Sequence, residues 1–324
     1  MHYSGYDFIG DVHGCAKTLE RLLLKLGYKN ESGVFWHPKR QAIFVGDIVD
    51  RGPRIREALH IVKNMVEAGT GLCVMGNHEY NALGYITPKP ETAEGGDIAY
   101  VREHNHHHNR LIAETLTQFA SYPEEWRMFL DWFRELPIFL ELEGCRVVHA
   151  CWDAALIEEY RSRQMPAKLD TTFIQRSADK ATFEGRFMDR LTRGTNLPLP
   201  QGYVIKSKDG YQRSLFRTKF WSHQPQTFED VVFQPDPLPQ EVASITLNDE
   251  HKASLIYYDE TQPPVFVGHY WLQGKPKPMR HNVACLDYSA VKYGRLVAYR
   301  FDGESQLDEA KFVWVYVDSD VNEQ

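Results

Sequence analysis

Five short stretches of the sequence carry carboxylate, amide and imidazole groups directly after hydrophobic runs. They are GDVHG (10–14), GDIVDRGP (46–53), GNHE (76–79), His149 after RVV, and the pair GH at 268–269. Aspartate and asparagine oxygens combined with imidazole nitrogens suit Mn²⁺, Fe or Zn²⁺ better than an ion that prefers thiolates. A carboxylate can also bridge two such ions at about 3.5–4 Å, as in two-metal hydrolases. A single Asp or Asn after Gly is more often a turn residue or a helix cap, but six such groups in register favour a metal site.

The elements that must position these groups follow a regular rhythm in the first eighty residues. An apolar run at 6–9 ends at Gly10, and leucines at 19, 22, 23 and 26 then recur at helical spacing before Gly27. The pattern repeats with an apolar run at 42–45 and an amphipathic stretch at 55–66, and a third run covers 72–75. Strands that alternate with helices predict βαβ units and a parallel core sheet, whose ligands gather beyond the carboxyl ends of the strands.

The remaining chain is less regular. Residues 85–108 are expected to be irregular, and 109–135 to form two helices, the second starting near Pro123. Further strands are predicted at 145–150, 264–269, 282–287, 295–301 and 312–317. We expect one domain over residues 1–324, with a helical insertion at 85–140 and a cap-like insertion at 154–262 that is helical to about residue 192.

Composition excludes several classes of function. The net charge of −7 and the pI of about 6.1 give no global basic field, so binding of nucleic acid receives no support. No apolar run reaches the roughly 18 residues that a membrane span needs. The five cysteines are scattered and odd in number, which argues against a disulfide framework. We therefore expect a cytoplasmic protein without a membrane partner.

Three of these motifs together carry a resemblance. GDxHG, GDxxDRG and GNHE, in this order and followed by two histidines after hydrophobic strands, resemble the calcineurin-like metallophosphoesterases, specifically bacterial-like members of the serine/threonine protein phosphatase type. The match is tight over residues 11–79 and looser at His149 and His269. It implies an α/β fold in which a β-sandwich of mixed sheets is flanked by helices and carries a cap-like insertion.

The same resemblance implies a site with two divalent metal ions. Mn²⁺ is the expected metal, and Fe, Zn²⁺ and Mg²⁺ are the alternatives. The implied ligands are Asp11 and His13 for the first ion, Asp47 for both, and Asn77, His149 and His269 for the second. A metal-bound hydroxide would be the nucleophile. His78 would be the general acid, held by Asp50.

Phosphate binding is the other role that the resemblance assigns. Arg51 is expected to hold the phosphate oxygens through its planar fork. For a second phosphate-binding residue, Arg193 is expected, with Arg217 and Lys219 as alternatives. The sequence HACWD after His149 departs from the family pattern, so substrate choice stays open.

The expected function is hydrolysis of a phosphoric monoester, in a phosphoprotein or a small phosphorylated molecule. Alternatives on the same fold are a dinucleoside polyphosphate hydrolase or nucleotidase and a polynucleotide end phosphatase; a non-catalytic metal-binding scaffold is the remote one. Asp50 argues against the dinucleoside polyphosphate hydrolase or nucleotidase, because symmetrical dinucleoside tetraphosphatases often lack an aspartate at this position. The histidine-rich stretch REHNHHHNR (102–110) is expected to be an exposed loop or helix start beside the site, with a substrate-touching flap as its alternative.

Overall fold

The structure, a computed structural model, describes residues 3–90, 98–165, 168–198, 200, 203, 205–206, 212–213, 215–233, 238–292 and 294–317. The strands are β1 (Gly5–Ile9), β2 (Lys29–Glu31), β3 (Val34–Trp36), β4 (Arg40–Phe44), β5 (Gly71–Cys73), β6 (Phe139–Leu142), β7 (Cys145–Val148), β8 (Asn196–Pro198), β9 (Ile205–Lys206), β10 (Gln212–Arg213), β11 (Leu215–Thr218), β12 (Val232–Phe233), β13 (Val265–Val267), β14 (Val283–Cys285), β15 (Asp287–Tyr288), β16 (Arg295–Phe301) and β17 (Phe312–Tyr316). The α-helices are α1 (Ala16–Lys25), α2 (Ile55–Glu67), α3 (Asn77–Ile86), α4 (His106–Phe119), α5 (Pro123–Phe133), α6 (Ala154–Ser162), α7 (Thr171–Arg176), α8 (Phe183–Arg193), α9 (Phe228–Val231), α10 (Gln240–Ala243) and α11 (Asp249–Ser254).

Two mixed sheets form the centre of the fold. The first has the order β15-β16-β1-β4-β5, with β17 paired to β16, and the second has the order β14-β13-β7-β6. The strands β1, β4 and β5 are parallel, as are β7, β13 and β14, whereas β16 and β6 join as antiparallel neighbours. The parallel arrangement expected from the sequence therefore holds for the strands that lead to the predicted ligands, while each sheet as a whole is mixed.

Alternation of side chains along the strands explains why the two sheets pack face to face. Successive strand residues point to opposite faces, so Phe8 of β1 lies in the cluster between the sheets while Ile9 lies in the cluster on the outer face. Phe266 of β13 enters the inner cluster from the other sheet, and the rings of Phe8 and Phe266 stack at 3.7 Å. This inner core confirms the predicted sandwich.

Helices α1 and α2 cover the outer face of the first sheet. Their apolar residues recur at helical spacing and are buried in the same cluster as Ile9 and Phe44. Gly27 and Gly69 follow the two helices with φ of 92° and 72°, a backbone region that favours glycine. Both helices were predicted from the sequence, with these glycines at their ends.

Residues 77–119 correct one expectation. The sequence predicted irregular structure over 85–108, but α3 continues to Ile86 and α4 already begins at His106. Helix α3 buries residues on nearly all of its sides, so its sequence lacks the one-sided apolar pattern that marks an amphipathic helix. Residues 91–97 of the same interval lie outside the described part.

The interval 154–262 contains helices α6 to α11 and a small sheet with the order β12-β11-β8. A separate apolar cluster around Phe216 and Phe228 packs this sheet. The helical part was expected to end near residue 192, and α8 ends at Arg193. The division of the chain into one domain with two insertions stays a prediction. Among the helices of the described residues, none combines the length and apolar character needed to cross a bilayer.

Candidate metal centre

The predicted ligands meet at the carboxyl ends of the central strands. Asp11 and His13 follow β1, Asp47 follows β4, and Asn77 begins α3 after β5. His149 follows β7 and His269 follows β13 in the facing sheet. The structure brings all six together, and each is buried.

Asp47 lies at the middle of the cluster. Its Oδ2 is 3.3 Å from His149 Nε2, 3.6 Å from His13 Nε2 and 3.9 Å from His78 Nε2. Two groups of three potential ligands share this carboxylate: Asp47 with His13 and His78, and Asp47 with Asp11 and His149. The division of the ligands between two ions stays a prediction.

Backbone carbonyls orient two of the imidazoles. His149 Nδ1 lies 2.7 Å from the carbonyl oxygen of Val45, and His13 Nδ1 lies 2.9 Å from that of Val49. Because a carbonyl oxygen only accepts, both Nδ1 atoms carry the hydrogen. The Nε2 atoms are thereby directed at Asp47, which is the arrangement that metal-binding histidines use.

Asn77 and His269 complete the cluster on one side. Asn77 Oδ1 is 3.1 Å from His149 Nε2 and 2.8 Å from His269 Nδ1. The other ring nitrogen of His269, Nε2, is buried without a hydrogen-bond partner among the described residues. A buried polar atom without a partner is costly. This orphaned nitrogen, together with a buried oxygen and imidazole donor set, fits divalent cations.

Burial and mutual charge perturb the acids of the cluster in opposite directions. Burial and the neighbouring Asp287 raise the pKa of Asp11 well above its usual range. For Asp47, burial is outweighed by His149, and its pKa lies well below the usual range. Asp47 in turn outweighs burial at His149 and raises the pKa of that imidazole to about 10. A cation that takes the lone pair of His149 must therefore displace a proton.

The backbone around these ligands adopts conformations that L-residues rarely use. Positive φ values occur at His13 (42°), Asp47 (53°), Asp50 (69°), Arg51 (72°) and His269 (66°). Such conformations cost about 1–3 kcal/mol each and persist where the surroundings enforce them, typically at functional sites.

Two glycines allow the carboxylates to come close to the chain. A Cβ at Gly268 would lie 2.0 Å from Asp11 Oδ1, and a Cβ at Gly76 would lie 2.2 Å from Asp47 Oδ1. No side chain larger than hydrogen fits these approaches without moving a carboxylate. The glycines in GH and GNHE therefore serve the placement of Asp11 and Asp47.

A buried pair of acid and base stands next to the cluster. His78 Nδ1 lies 2.7 Å from Asp50 Oδ2, and Thr115 donates to Asp50 Oδ1 at 2.5 Å. Burial raises the pKa of Asp50 to about 7 and lowers the pKa of His78 to about 3. The two groups share one hydrogen bond, so together they can hold one proton near neutral pH. Such a pair is suited to proton transfer.

Several arginines surround the cluster. The exposed Arg51 has Nη1 3.3 Å from His13 Nε2. Arg193 donates to Asn81 Oδ1 at 2.5 Å, one helical turn beyond Asn77. Arg217 donates to the carbonyl oxygen of His269 at 2.8 Å. The structure thus brings all three arginines predicted as phosphate ligands near the cluster.

Lys219, the other alternative for the second phosphate-binding residue, points away from the arginines. Its Nζ lies 3.2 Å from the carbonyl oxygen of Glu229 at the start of α9. This contact belongs to the small sheet and its helix, so Lys219 is not positioned with the arginines.

A model of the calcineurin-like phosphoesterase family matches residues 6–172 of the 324. The chain belongs to this family. The match includes every predicted ligand except His269, and it confirms the family predicted from the three motifs.

Two curated relatives are similar to this chain over less than half of its length. The asymmetrical bis(5'-nucleosyl)-tetraphosphatase PrpE of Oceanobacillus iheyensis is 47% identical over 150 residues, which are 44% of this chain and 54% of that protein. The protein of the same name from Geobacillus sp. is 44% identical over 162 residues, 48% of this chain and 60% of that protein. The chain spans about half the length of the curated relatives that it matches.

A solved structure, the protein serine/threonine phosphatase from Saccharomyces cerevisiae, aligns over 96% of this chain and 79% of that chain. The identity is 14% and the TM-score is 0.49.

The histidine-rich stretch lies outside the ligand cluster of this phosphoesterase. Asn105 caps α4 by accepting from the backbone N–H of His108, so the histidines at 106–108 form the first turn of that helix. The ring of His104 stacks on Tyr85 at 3.8 Å and on Tyr100 at 4.1 Å. The predicted helix start beside the site is confirmed.

Glu79 and Thr115 support the site but were not predicted as part of it, and Arg102 was named only in the alternative that makes the stretch 102–110 a substrate-touching flap. Glu79, the last residue of GNHE, accepts four backbone N–H groups of the loops that carry Asp47 and Asn77. Thr115 reaches Asp50 from α4, and Arg102 donates to Asn81 at 2.7 Å. Only Glu79 had a signal in the sequence, its place within the motif; the other two contacts depend on how α4 and its preceding segment pack.

Proposed function

We propose that this chain is a metal-dependent hydrolase that cleaves a phosphoanhydride bond of a dinucleoside polyphosphate. Membership of the calcineurin-like phosphoesterase family supports metal-dependent hydrolysis of a phosphoester. The two curated relatives are named as tetraphosphatases, which favours the dinucleoside polyphosphate alternative over the phosphoprotein substrate that the motifs first suggested.

The observation that carries the proposal is the buried carboxylate of Asp47, which lies close to His13 on one side and to Asp11 and His149 on the other. We propose that Asp11, His13, Asp47, Asn77, His149 and His269 hold two divalent cations, with Mn²⁺ as the expected ion and Fe, Zn²⁺ or Mg²⁺ as alternatives. When bound, the cations would supply Lewis acidity to the phosphate and lower the pKa of a water molecule.

The chain's own residues would orient the reactants. Arg51 and Arg193 would hold the non-bridging oxygens of the phosphate by charge-assisted hydrogen bonds. The oxygen of water forms the new bond to phosphorus and one proton of that water passes to the solvent, while the bond to the bridging oxygen breaks and the nucleotide leaves. His78, held at 2.7 Å by Asp50, would deliver a proton to the departing oxygen.

A phosphomonoester is the second candidate substrate, and the same pair of residues favours it. A nucleotide leaves through a phosphate oxygen that is stable as an anion, whereas a serine or tyrosine side chain leaves through a more basic oxygen that needs a proton. The buried His78–Asp50 pair is therefore of most use when the leaving group is basic.

We further propose that residues 154–262 act as a cap over the cluster, within a single domain. Arg193 and Arg217 come from this interval, and both make hydrogen bonds next to the proposed ligands. A cytoplasmic location is supported by the five cysteines, all of them buried thiols.

A turnover panel with Mn²⁺ tests the proposal. The substrates are diadenosine tetraphosphate, phosphoserine and phosphotyrosine peptides, and p-nitrophenyl phosphate, with an Asp47→Asn variant as the inactive control. We expect the highest kcat/KM on the tetraphosphate. A phosphopeptide that is turned over at least tenfold more efficiently would instead assign the chain to phosphoprotein hydrolysis.

A further inference from the structure

A pocket of about 260 Å³ opens beside the cluster, between α3, the segment before α4, and helices α7 and α8. Six of the residues that line it are charged: Lys89, Arg102, Lys180 and Arg193 are basic, and Glu103 and Asp189 are acidic. The net positive lining contrasts with the net charge of −7 of the chain. A cationic pocket in an acidic protein points to an anionic ligand.

Two of the basic residues that line the pocket donate to the same acceptor atom. Arg102 and Arg193 both donate to Asn81 Oδ1, at 2.7 Å and 2.5 Å. The neutral amide oxygen thus holds two guanidinium groups side by side, although like charges repel. Asp189 offsets part of this charge, at 3.4 Å from Arg193, but it also pairs with Lys180. Two neighbouring guanidinium forks can together hold one anion by charge-assisted hydrogen bonds.

The pocket adjoins the reacting centre through α3. Asn77, a proposed ligand, and Asn81 are four residues apart and therefore lie on the same face of the helix, about 6 Å apart along its axis. Arg193, expected to contact the scissile phosphate, also lines the pocket. A ligand that extends from the cluster along α3 would enter this pocket next.

The volume decides which part of a ligand fits. Sites for drug-sized molecules usually enclose about 300–1,000 Å³, and this pocket is smaller than that range. A short chain of phosphates is compact and strongly anionic, whereas a whole nucleoside requires more room.

We propose that this pocket binds the phosphates of a polyphosphate chain beyond the phosphorus under attack, with Arg102 as the residue that selects polyphosphates over monophosphates. The inference deepens the proposed function and rests on it for the identity of the substrate. It also assigns a role to the first residue of the stretch 102–110, whose histidines lie beside the site.

Calorimetric titration of the metal-free protein tests the subsite directly. The full chain in EDTA and low salt is titrated with inorganic tripolyphosphate and with orthophosphate. We expect Arg102→Gln to raise the Kd for tripolyphosphate by about 10- to 100-fold, the range for hydrogen bonds to charged groups. The Kd for orthophosphate should change by far less. Arg110→Gln, at an exposed position of the same stretch, is the matched control and should leave both constants as in the wild type.

Arg102→Lys, which keeps the charge but loses the fork, guards against a folding defect. It should retain the wild-type Tm and weaken tripolyphosphate binding by a smaller factor than Arg102→Gln. Equal affinities of Arg102→Gln and Arg110→Gln for tripolyphosphate would overturn the subsite, as would equal losses for both anions.

Turnover separates this inference from the proposed function. With Mn²⁺ bound, Arg102→Gln should lower the ratio of kcat/KM on diadenosine tetraphosphate to kcat/KM on p-nitrophenyl phosphate at least tenfold. If the wild type does not hydrolyse the tetraphosphate while tripolyphosphate binding still depends on Arg102, the proposed function fails and the anion subsite stands.

Discussion

Replacement of Glu79 by alanine tests how the site is held in place. The two carboxylate oxygens of Glu79 accept four backbone N–H groups, those of Asp47, Ile48, Val49 and Gly76, at 2.7 to 3.2 Å. All four bonds are buried, and Glu79 itself is fully buried. Alanine offers no acceptor, so four buried donors lose their partner.

The loss can be estimated from these bonds. A buried donor left without a partner costs about 1–3 kcal/mol. The lower limit applies if water enters the space of the side chain, and it gives a loss of about 4 kcal/mol for Glu79→Ala. With a urea m-value of about 3 kcal/mol/M, the unfolding midpoint should fall by about 1.3 M.

Urea unfolding of the metal-free protein, followed by tryptophan fluorescence, is the assay. Glu67→Ala is the control, because Glu67 lies at the exposed end of α2 and, within the described part of the chain, its one ion pair is with Lys63 a turn away. A surface pair of this kind contributes about 0.3–0.5 kcal/mol. A midpoint for Glu79→Ala within 0.3 M of the wild type would refute the account of how the Asp47 loop is held.

Three further predictions concern the site itself. His78→Asn should reduce kcat on alkyl phosphates far more than on p-nitrophenyl phosphate, since an acid matters most for a basic leaving oxygen; equal losses would remove His78 from the acid role. Alanine at positions 106–108 should leave the Mn²⁺ content of the purified protein unchanged, and a loss of metal would place the site in the wrong part of the chain. Gly268→Ala should displace the carboxylate of Asp11, because its Cβ would lie 2.0 Å from Asp11 Oδ1; we expect weaker Mn²⁺ binding in calorimetry with little change in Tm, and unchanged affinity would contradict the close approach.

The proposed ligands could be predicted because each lies in a short local pattern. A strand that ends at glycine and turns sharply is visible in the sequence at Asp11, Asp47 and Asn77, and the carboxyl ends of parallel strands converge. His149 and His269 were predicted on their position after hydrophobic strands, and the structure brings both to the same cluster.

The supporting contacts could not be predicted, because they join distant parts of the chain. The bond of Thr115 to Asp50 spans 65 residues and depends on where α4 packs. Arg102 reaches Asn81 only because the segment before α4 folds back onto α3. Neither contact has a sequence spacing that would reveal it.

Helix α3 was not predicted, and the reason lies in its buried polar residues. An amphipathic helix shows its apolar face as a repeat of three to four residues. Helix α3 carries the polar residues Asn77, His78 and Glu79 in its buried first turn, so polar and apolar residues share its buried surface. Its buried polar residues are those that build the site, which is why the apolar pattern failed there.

The most direct test of the central claim, that Asp47 is shared by two cations that support hydrolysis, is a titration with Mn²⁺ in which bound metal and turnover of diadenosine tetraphosphate are measured on the same samples of wild type and Asp47→Asn. We predict two Mn²⁺ ions per wild-type chain, turnover that rises with the second ion, and loss of both metal and turnover in Asp47→Asn. Full turnover with a single ion, or an Asp47→Asn variant that keeps its activity, would contradict the claim.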